Sequence, residues 1–242
     1  MTSGLGTKGF TNSEEGGRAA GVAGGRDVRV DLLQKTPDYL RMIWLAARTC
    51  YSSLSPRELA LQQPDRDDMI RLAKHIVESG HHSVLEHCHM TFAVEGASRA
   101  LLAQYSRHRI GISLSVQSQR YVSHHSEKRG GLFPHVVPPQ VQEHPRAREV
   151  MADAMKRAQE AYDQLLSLGI RKEDARFVLP GGACTNFVTS LNLRSLLDVY
   201  KKRVVVRGAQ WEIATMVREM ARLIVHEEAW LGRYFPGLEE SA

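Results

Sequence analysis

The segment from Cys88 to Glu95 limits the possible folds more than any other part of the chain, because apolar and polar residues alternate strictly along it. Its apolar positions are Cys88, Met90, Phe92 and Val94. A period of two residues is typical of a β-strand that buries one face. A strand of this kind needs a layer of helices or a second sheet to cover that face.

Several segments with a helical period could form that layer. Residues 65–79 and 146–168 each place apolar side chains on one face, and Gly80 and Gly169 follow them as ordinary helix stops. The other expected elements are a strand over 28–33, helices over 39–50, 97–106, 192–203 and 209–229, and a polar, extended segment over 113–122. This order predicts one α/β (α+β) domain, with a central mixed sheet flanked by helices and a long C-terminal helical segment.

Residues 1–26 differ from the rest of the chain, because they hold eight of its 19 glycines and almost no periodic apolar residues. Such a stretch buries too little surface to offset its ordering entropy, so we expect a disordered glycine-rich tail before a folded domain over 27–242. A phosphate-binding loop is not favoured, because the GxxxxGK[ST] motif is missing.

Charge and cysteine content narrow the possible functions. The 32 basic and 27 acidic side chains leave a net charge of +5, which favours anionic partners such as nucleic acids or free nucleotides. The longest apolar run covers only 42–47, whereas a membrane span needs about 20 residues, so no membrane partner is expected. Cys50, Cys88 and Cys184 form no CxxC pair, which predicts buried, reduced thiols and a cytoplasmic location.

The segment from His81 to His89 contains four histidines and Glu86, which suggests a metal site. The spacing matches neither HExxH nor HxxEH, because His82 is followed by Glu86 and His87 as HxxxEH. A polar connection between a helix and a strand is the simpler interpretation, and we expect no metal.

A second group, Gln104 to Arg109, ends a predicted helix with two arginines around a histidine. A helix C-terminus favours cations, but this is more charge than one helix end needs, and guanidinium groups bind phosphates in bidentate fashion. In a third group, Ser118 and Arg120 would point the same way on an extended chain. They could form a phosphate or carboxylate cradle, or simply a polar edge strand.

A fourth group lies near the C-terminus and comprises Arg176, Asn192, Arg194, Asp198, Arg203 and Arg207. Asn192 is at a predicted helix N-cap, and Arg194 with Asp198 four residues later could form a structural ion pair. By itself this group indicates only an anion site or an interface.

In this order the groups resemble the flavin-dependent thymidylate synthases, also called the thymidylate synthase-complementing family. The family signature is an RHR triplet followed by spaced serines and an SxRY ending, here over 107–121. Five further matches are AARTCY at 46–51, GHHSVLEH at 80–87, RFVLP at 176–180, NLRSL at 192–196 and AQWEI at 209–213. Together they extend from about Val28 to Ala229.

The resemblance implies an activity that spacing alone does not show. Members methylate carbon 5 of uracil in dUMP to give dTMP, with methylenetetrahydrofolate as carbon donor. FAD supplies the reducing equivalents, NADPH re-reduces it, and tetrahydrofolate leaves. The family is a homotetramer in which several subunits build each site.

The resemblance also assigns residues to the two ligands. Flavin contacts would be Ser83, Glu86, Arg107, His108, Arg109, Ile110, Asn192, Arg194, Asp198 and Arg207. Nucleotide contacts would be Gln104, Arg107, Ser118, Gln119, Arg120, Arg176 and Arg203. Of these, Arg203 would be catalytic by stabilising enolate-like charge on uracil, and Ser118 would serve the reaction by binding phosphate rather than attacking the ring.

The chain departs from the family pattern at a few positions. Ile112 stands where the first serine is usual, Asp198 stands where asparagine is common, and the segment from Arg203 to Trp211 is one residue longer. Two other functions remain open on the residues alone. These are a nucleic-acid-binding module and a metal-dependent hydrolase using His81, His82 and His87. Aromatic residues are only 7% of the chain and show no base-stacking pattern, so we expect no nucleic-acid partner.

Overall fold

The computed structural model of this protein describes residues 28–129 and 131–238. The strands are β1 (Arg29–Lys35), β2 (His89–Ser98), β3 (Ile112–Val116) and β4 (Cys184–Asn192). The helices are α1 (Tyr39–Thr49), α2 (Pro56–Leu61), α3 (Arg66–Glu78), α4 (Arg99–Tyr105), α5 (Ser126–Arg129), α6 (Pro139–Glu143), α7 (Pro145–Ser167), α8 (Lys172–Ala175), α9 (Leu193–Tyr200) and α10 (Trp211–Glu227). Short 3-10 turns cover His82–His87, Arg176–Val178 and Ala229–Tyr234, and α9 continues as a π-helical turn over Lys201–Val205.

The sheet has the strand order β1-β2-β4-β3, and every neighbouring pair is antiparallel. The expectation of a mixed sheet is therefore wrong. The long excursion between β3 and β4 leaves and re-enters at the same end of the sheet, where the Gln117 backbone N–H donates to the Asn186 carbonyl (2.9 Å). A chain that returns at the end from which it left must run antiparallel to the strand before it.

The alternation in the 88–95 segment is confirmed. Met90, Phe92 and Val94 are buried, and their neighbours on the other face of β2 are exposed or half-buried. The buried face belongs to a core that also contains side chains of α1, α4, α9 and α10. A helical layer therefore covers one face of the sheet, as the pattern requires.

The central strand β4 was not expected from the sequence. Its inward positions alternate between hydroxyl and apolar side chains, so hydropathy shows only a weak two-residue period. Thr189 is buried because its Oγ1 donates to the Ser113 carbonyl (2.9 Å) and shares a hydrogen bond with the Tyr105 hydroxyl (3.0 Å). These partners come from β3 and α4, so the satisfaction of this buried threonine depends on the tertiary structure.

The predicted helices are confirmed, with small shifts at their ends. Asp65 caps α3 by accepting from the Asp67 and Asp68 backbone, and α7 buries Met155 and Tyr162 on its predicted apolar face. Over the described ranges, no helix is both long and apolar enough to cross a bilayer.

The expectation of three buried thiols is wrong for Cys50. No disulfide joins any two of the three cysteines, and Cys50 is exposed, while Cys88 and Cys184 are buried. The reason is that Cys50 follows the last residue of α1 as its C-cap, beyond the apolar face that the helix buries.

This difference predicts the pattern of thiol modification. We expect Cys50 to react with a disulfide reagent in the folded chain and Cys88 to react only after unfolding, because burial raises the pKa of the Cys88 thiol to about 12. Spectrophotometric thiol counting before and after adding denaturant measures this. A Cys50→Ser variant should lose the fast phase, and a fast phase that survives in this variant would contradict the assignment.

Candidate functional site

The loop after α4 lies against the first turn of α9. Asn192 caps α9 by accepting from the Ser195 backbone N–H (2.9 Å), and the Ser195 hydroxyl donates to the Ile110 carbonyl (2.8 Å). Gly111 has φ +66°, and a Cβ there would lie 2.4 Å from Ser195 Oγ. Only glycine therefore fits this contact, which holds the 107–111 loop in place.

Arg203 and His108 contact each other across this loop. Arg203 lies in the π-helical turn after α9, and its Nε donates to His108 Nε2 (2.9 Å), while Nη2 is 3.5 Å from the Gln104 carbonyl oxygen. Burial lowers the pKa of His108, and the positive charges of Arg203 and Lys202 lower it further. Both effects favour the neutral imidazole, which is the form that can accept from an arginine.

Two acidic residues pair with cations around α9. Glu86, in the 82–87 turn, forms an ion pair with Arg194, and Asp198 pairs with Lys202 (2.7 Å). The predicted Arg194–Asp198 pair is therefore wrong, because the tertiary structure brings Glu86 to Arg194 and Asp198 has its own cation four residues on. We call Glu86, His108, Asn192, Arg194 and Arg203 the α9 cluster.

Arg107, Arg109 and Ile110 are exposed beside the α9 cluster. Neither arginine forms an ion pair with any residue that the structure describes. Arg109 also borders a groove of about 360 Å³, whose lining includes His89, Ser113, Ser190 and Asn192. Uncompensated guanidinium groups beside a polar groove are suited to an anionic ligand.

The structure places Ser118 and Arg120 in a tight turn, and the extended arrangement expected for them is wrong. The backbone N–H groups of Tyr121 and Val122 donate to the Ser118 carbonyl (3.3 and 3.0 Å), and Ser118 Oγ accepts from the Arg120 backbone N–H (3.2 Å). The chain turns because β3 ends at Val116. Gln119, next to Ser118, is only 8% exposed, and its side-chain Nε2 has no hydrogen-bond partner among the residues that the structure describes.

Arg120 and Arg176 both contact Glu173 near this turn. Arg120 pairs with the Glu173 carboxylate through Nε (3.0 Å) and Nη2 (2.8 Å), and Arg176 Nε donates to the Glu173 carbonyl (3.0 Å). The pKa of Arg99 is lowered by burial and by the nearby positive charge of Arg176. Like charges that act on each other in this way favour an anion bound beside them.

Sequence reasoning missed Arg99 and Glu173. The one available signal for Arg99 was its place in the first turn of a predicted helix, where a cation is unfavourable. We call Arg99, Ser118, Gln119, Arg120 and Arg176 the turn cluster.

The two clusters lie at opposite ends of β3. The α9 cluster flanks the start of this strand and the turn cluster follows its end, and four residue steps of a strand measure about 13 Å. Gln104, Arg107 and Arg203 are therefore separated from the other predicted nucleotide residues. Among the described residues, no hydrogen bond or ion pair joins one cluster to the other.

The remaining candidates lie at the edge of the α9 cluster. Ser83 and Arg207 are exposed, and Ile112 is partly buried against the core. The His82 side chain is hydrogen-bonded to the Val77 carbonyl, with 3.0 Å between Nε2 and O. Over residues 28–129 and 131–238, no three histidine, cysteine or acidic side chains are grouped to hold a metal ion.

Comparison with known proteins identifies the family. A family-wide sequence profile described as "Thymidylate synthase complementing protein" matches residues 31–228. A flavin-dependent thymidylate synthase from Geobacter sulfurreducens is 43% identical over 197 residues, which are 81% of this chain and 82% of the relative. One from Haloarcula marismortui is 37% identical over 224 residues, covering 80% of this chain and 89% of the relative.

A solved structure shares the fold. The crystal structure of a UMP/dUMP methylase PolB from Streptomyces cacaoi, bound with 5-Br dUMP, superposes with a TM-score of 0.75 and 22% identity, covering 87% of this chain and 97% of that one. The profile and the relatives show that the chain is an enzyme of the thymidylate synthase-complementing family. It thus belongs among the flavin-dependent thymidylate synthases, and the resemblance in its motifs is confirmed.

Proposed function

We propose that this chain converts dUMP to dTMP with methylenetetrahydrofolate as carbon donor, FAD as bound reductant and NADPH as the source of electrons, and releases tetrahydrofolate. The family and the names of its relatives support this proposal. The observation that carries it is the pair of arginine-rich clusters at the two ends of β3, since the substrates and the cofactor all bring phosphate or carboxylate groups. Three cysteines that form no disulfide with one another suit a reducing cytoplasm.

The separation of the clusters supports a site shared between subunits of a homotetramer. A single nucleotide monophosphate would need contacts from both clusters, and within one chain they are a strand length apart. Large apolar side chains are exposed beside each cluster: Ile110 is 91% exposed, Tyr121 76% and Phe177 82%. Exposed apolar groups around a polar site are typical of a surface that another chain covers. We propose that the turn cluster of one subunit completes the α9 cluster of another.

The turn cluster would hold the nucleotide phosphate. Arg120, Arg176 and the Gln119 amide supply donors. The ion pair of Arg120 with Glu173 occupies the guanidinium edge formed by Nε and Nη2 and leaves Nη1 available. Ser118 Oγ accepts from the Arg120 backbone, and neither a histidine nor a carboxylate of the described chain bonds to it. Without a general base the hydroxyl is a poor nucleophile, which supports phosphate binding by Ser118 rather than attack on uracil.

The α9 cluster fits a flavin nucleotide. The uncompensated Arg107 and Arg109 suit a pyrophosphate, and the close packing at Gly111 brings their loop onto α9, where Asn192 and Arg194 lie. When bound there, the flavin would supply the reducing equivalents. Arg203, which belongs to the same α9 cluster, would direct its Nη groups to the uracil carbonyl and stabilise the negative charge that develops on the ring.

Product analysis tests the proposal. We expect purified protein, given FAD, NADPH, methylenetetrahydrofolate and dUMP without oxygen, to form dTMP detectable by mass spectrometry. The control is protein stripped of flavin and assayed without added FAD, and it should form no dTMP. Bound flavin without any dTMP would contradict the proposed substrate, and the absence of bound flavin would contradict the proposed cofactor.

A further inference from the structure

We infer that His108 is a positioning residue for Arg203: by accepting the Nε hydrogen, it holds the guanidinium with its Nη edge free for substrate. This rests on the proposed function, because it concerns the reacting nucleotide. The resemblance assigns His108 to the flavin, whereas its Nε2 atom lies 2.9 Å from Arg203 Nε in this chain. Apart from the 3.5 Å contact of Nη2 with the Gln104 carbonyl, the described chain gives the Nη atoms no acceptor.

The backbone that carries His108 is held on both sides. The His108 backbone N–H donates to the carbonyl of Tyr105 (3.0 Å), which is fully buried. Two residues on, the Ile110 carbonyl accepts from Ser195, and Gly111 packs against the same hydroxyl. An acceptor on a fixed backbone can orient a long, flexible arginine side chain and so reduce the entropy lost when substrate binds.

Arg203 needs such an external support. It lies in a π-helical turn, where the wider helix offers a less regular set of neighbours than an α-helix, and the side chain is half-buried. Its Nε always carries a hydrogen, because arginine stays protonated in proteins. The bonded His108 nitrogen must therefore be the unprotonated one, and the imidazole proton resides on Nδ1.

The hydrogen bond between Arg203 and His108 is sensitive to a fall in pH. The charged groups that act on His108 are Arg203, Lys202 and Arg107, which oppose its protonation, and Asp198, which favours it; burial opposes protonation most. If the imidazole gains a second proton, Nε2 can no longer accept and two cations face each other. The pKa of His108 lies below the ordinary histidine value of about 6.5. The hydrogen bond is thus present above this lowered pKa and is lost as the pH falls through it.

The test compares His108→Leu with His108→Gln, each also in an Arg203→Ala background. Leucine removes the acceptor, while the glutamine side-chain oxygen reaches nearly the same place and does not titrate. We expect His108→Leu to lower kcat at least tenfold with flavin content and dUMP affinity nearly unchanged. We expect His108→Gln to restore most of kcat and to remove the fall in rate of the wild type at acidic pH. In the Arg203→Ala background, His108→Leu should add no further loss.

Two results would overturn the inference. One is equal loss of bound flavin in both His108 variants, which would make the residue a flavin ligand only. The other is multiplication of the two losses in the double variant, which would show that His108 acts independently of Arg203.

A measurement that does not depend on enzyme turnover distinguishes failure of this inference from failure of the proposed function. In histidine-labelled protein, NMR titration should show the His108 pKa rising when Arg203 is replaced by alanine, since a cation and a donor are both removed. No rise would refute the hydrogen bond whatever the enzyme's substrate, whereas a wild-type protein that forms no dTMP but shows the rise would refute only the reaction.

Discussion

Replacing Arg203 by alanine is expected to lower kcat for thymidylate formation roughly 10²–10³-fold, the usual cost of losing one preorganised donor to a developing negative charge. The expected cause is loss of charge stabilisation on uracil, because Arg203 is the cation that the α9 cluster orients through His108. Arg203→Lys should recover little, since an ammonium cannot donate to His108 and to the substrate with the same planar geometry. Single-turnover rates at saturating dUMP measure the effect.

The control for this series is Lys201→Ala. Lys201 is exposed on the same π-helical turn, and its side chain makes no hydrogen bond or ion pair with the described chain. It removes the same net charge and should leave kcat close to the wild-type value. An Arg203→Ala enzyme with the wild-type rate and nucleotide affinity would show that Arg203 has no catalytic role.

Replacing Gly111 by alanine is expected to lower the free energy of unfolding by about 2–5 kcal/mol and to deplete the bound flavin. Two costs add. The backbone at φ +66° is unfavourable for any residue with a Cβ, and that Cβ would lie 2.4 Å from Ser195 Oγ and 2.6 Å from Asn192 Nδ2. Relief of the overlap requires the 107–111 loop to move away from α9, and the proposed flavin contacts would move with it.

Gly169→Ala is the matched comparison. Gly169 follows α7 with φ +81°, but its Cβ would meet nothing within 4 Å. It should show the backbone cost alone, about 1–2 kcal/mol, with normal flavin content. Denaturant unfolding of both variants at one fixed protein concentration, with flavin absorbance on the purified proteins, gives the two quantities. Equal destabilisation by the two substitutions would mean that the contact with Ser195 contributes nothing.

Much of the local structure could be predicted because periodicity reports which face of a segment is buried. The alternation of Met90, Phe92 and Val94 and the helical period of α3 and α7 needed no knowledge of their partners. The weak point was β4, whose inward Thr189 is satisfied by groups on β3 and α4. A buried hydroxyl with a distant partner has no signature in the hydropathy of its own segment.

The functional residues divide along the same line. Six motifs in the right order were sufficient to recognise the family, and the resemblance collected nearly all the cationic residues that the structure places in the α9 cluster and the turn cluster. It could not show that Arg120 is paired with Glu173, or that Arg194 is paired with Glu86 rather than Asp198. Those partners are 53 and 108 residues away in the sequence.

The sequence by itself therefore determined the family, the amphipathic elements and the types of side chain at the site, because each of these depends on the spacing of residues close together in the chain. Only the tertiary structure decided that the sheet is wholly antiparallel, that the two clusters lie at opposite ends of β3, and that His108 meets Arg203. The physical reason is that these features depend on where the chain reverses direction. Residues 95 positions apart become hydrogen-bonded only when the loop after α4 is packed onto α9.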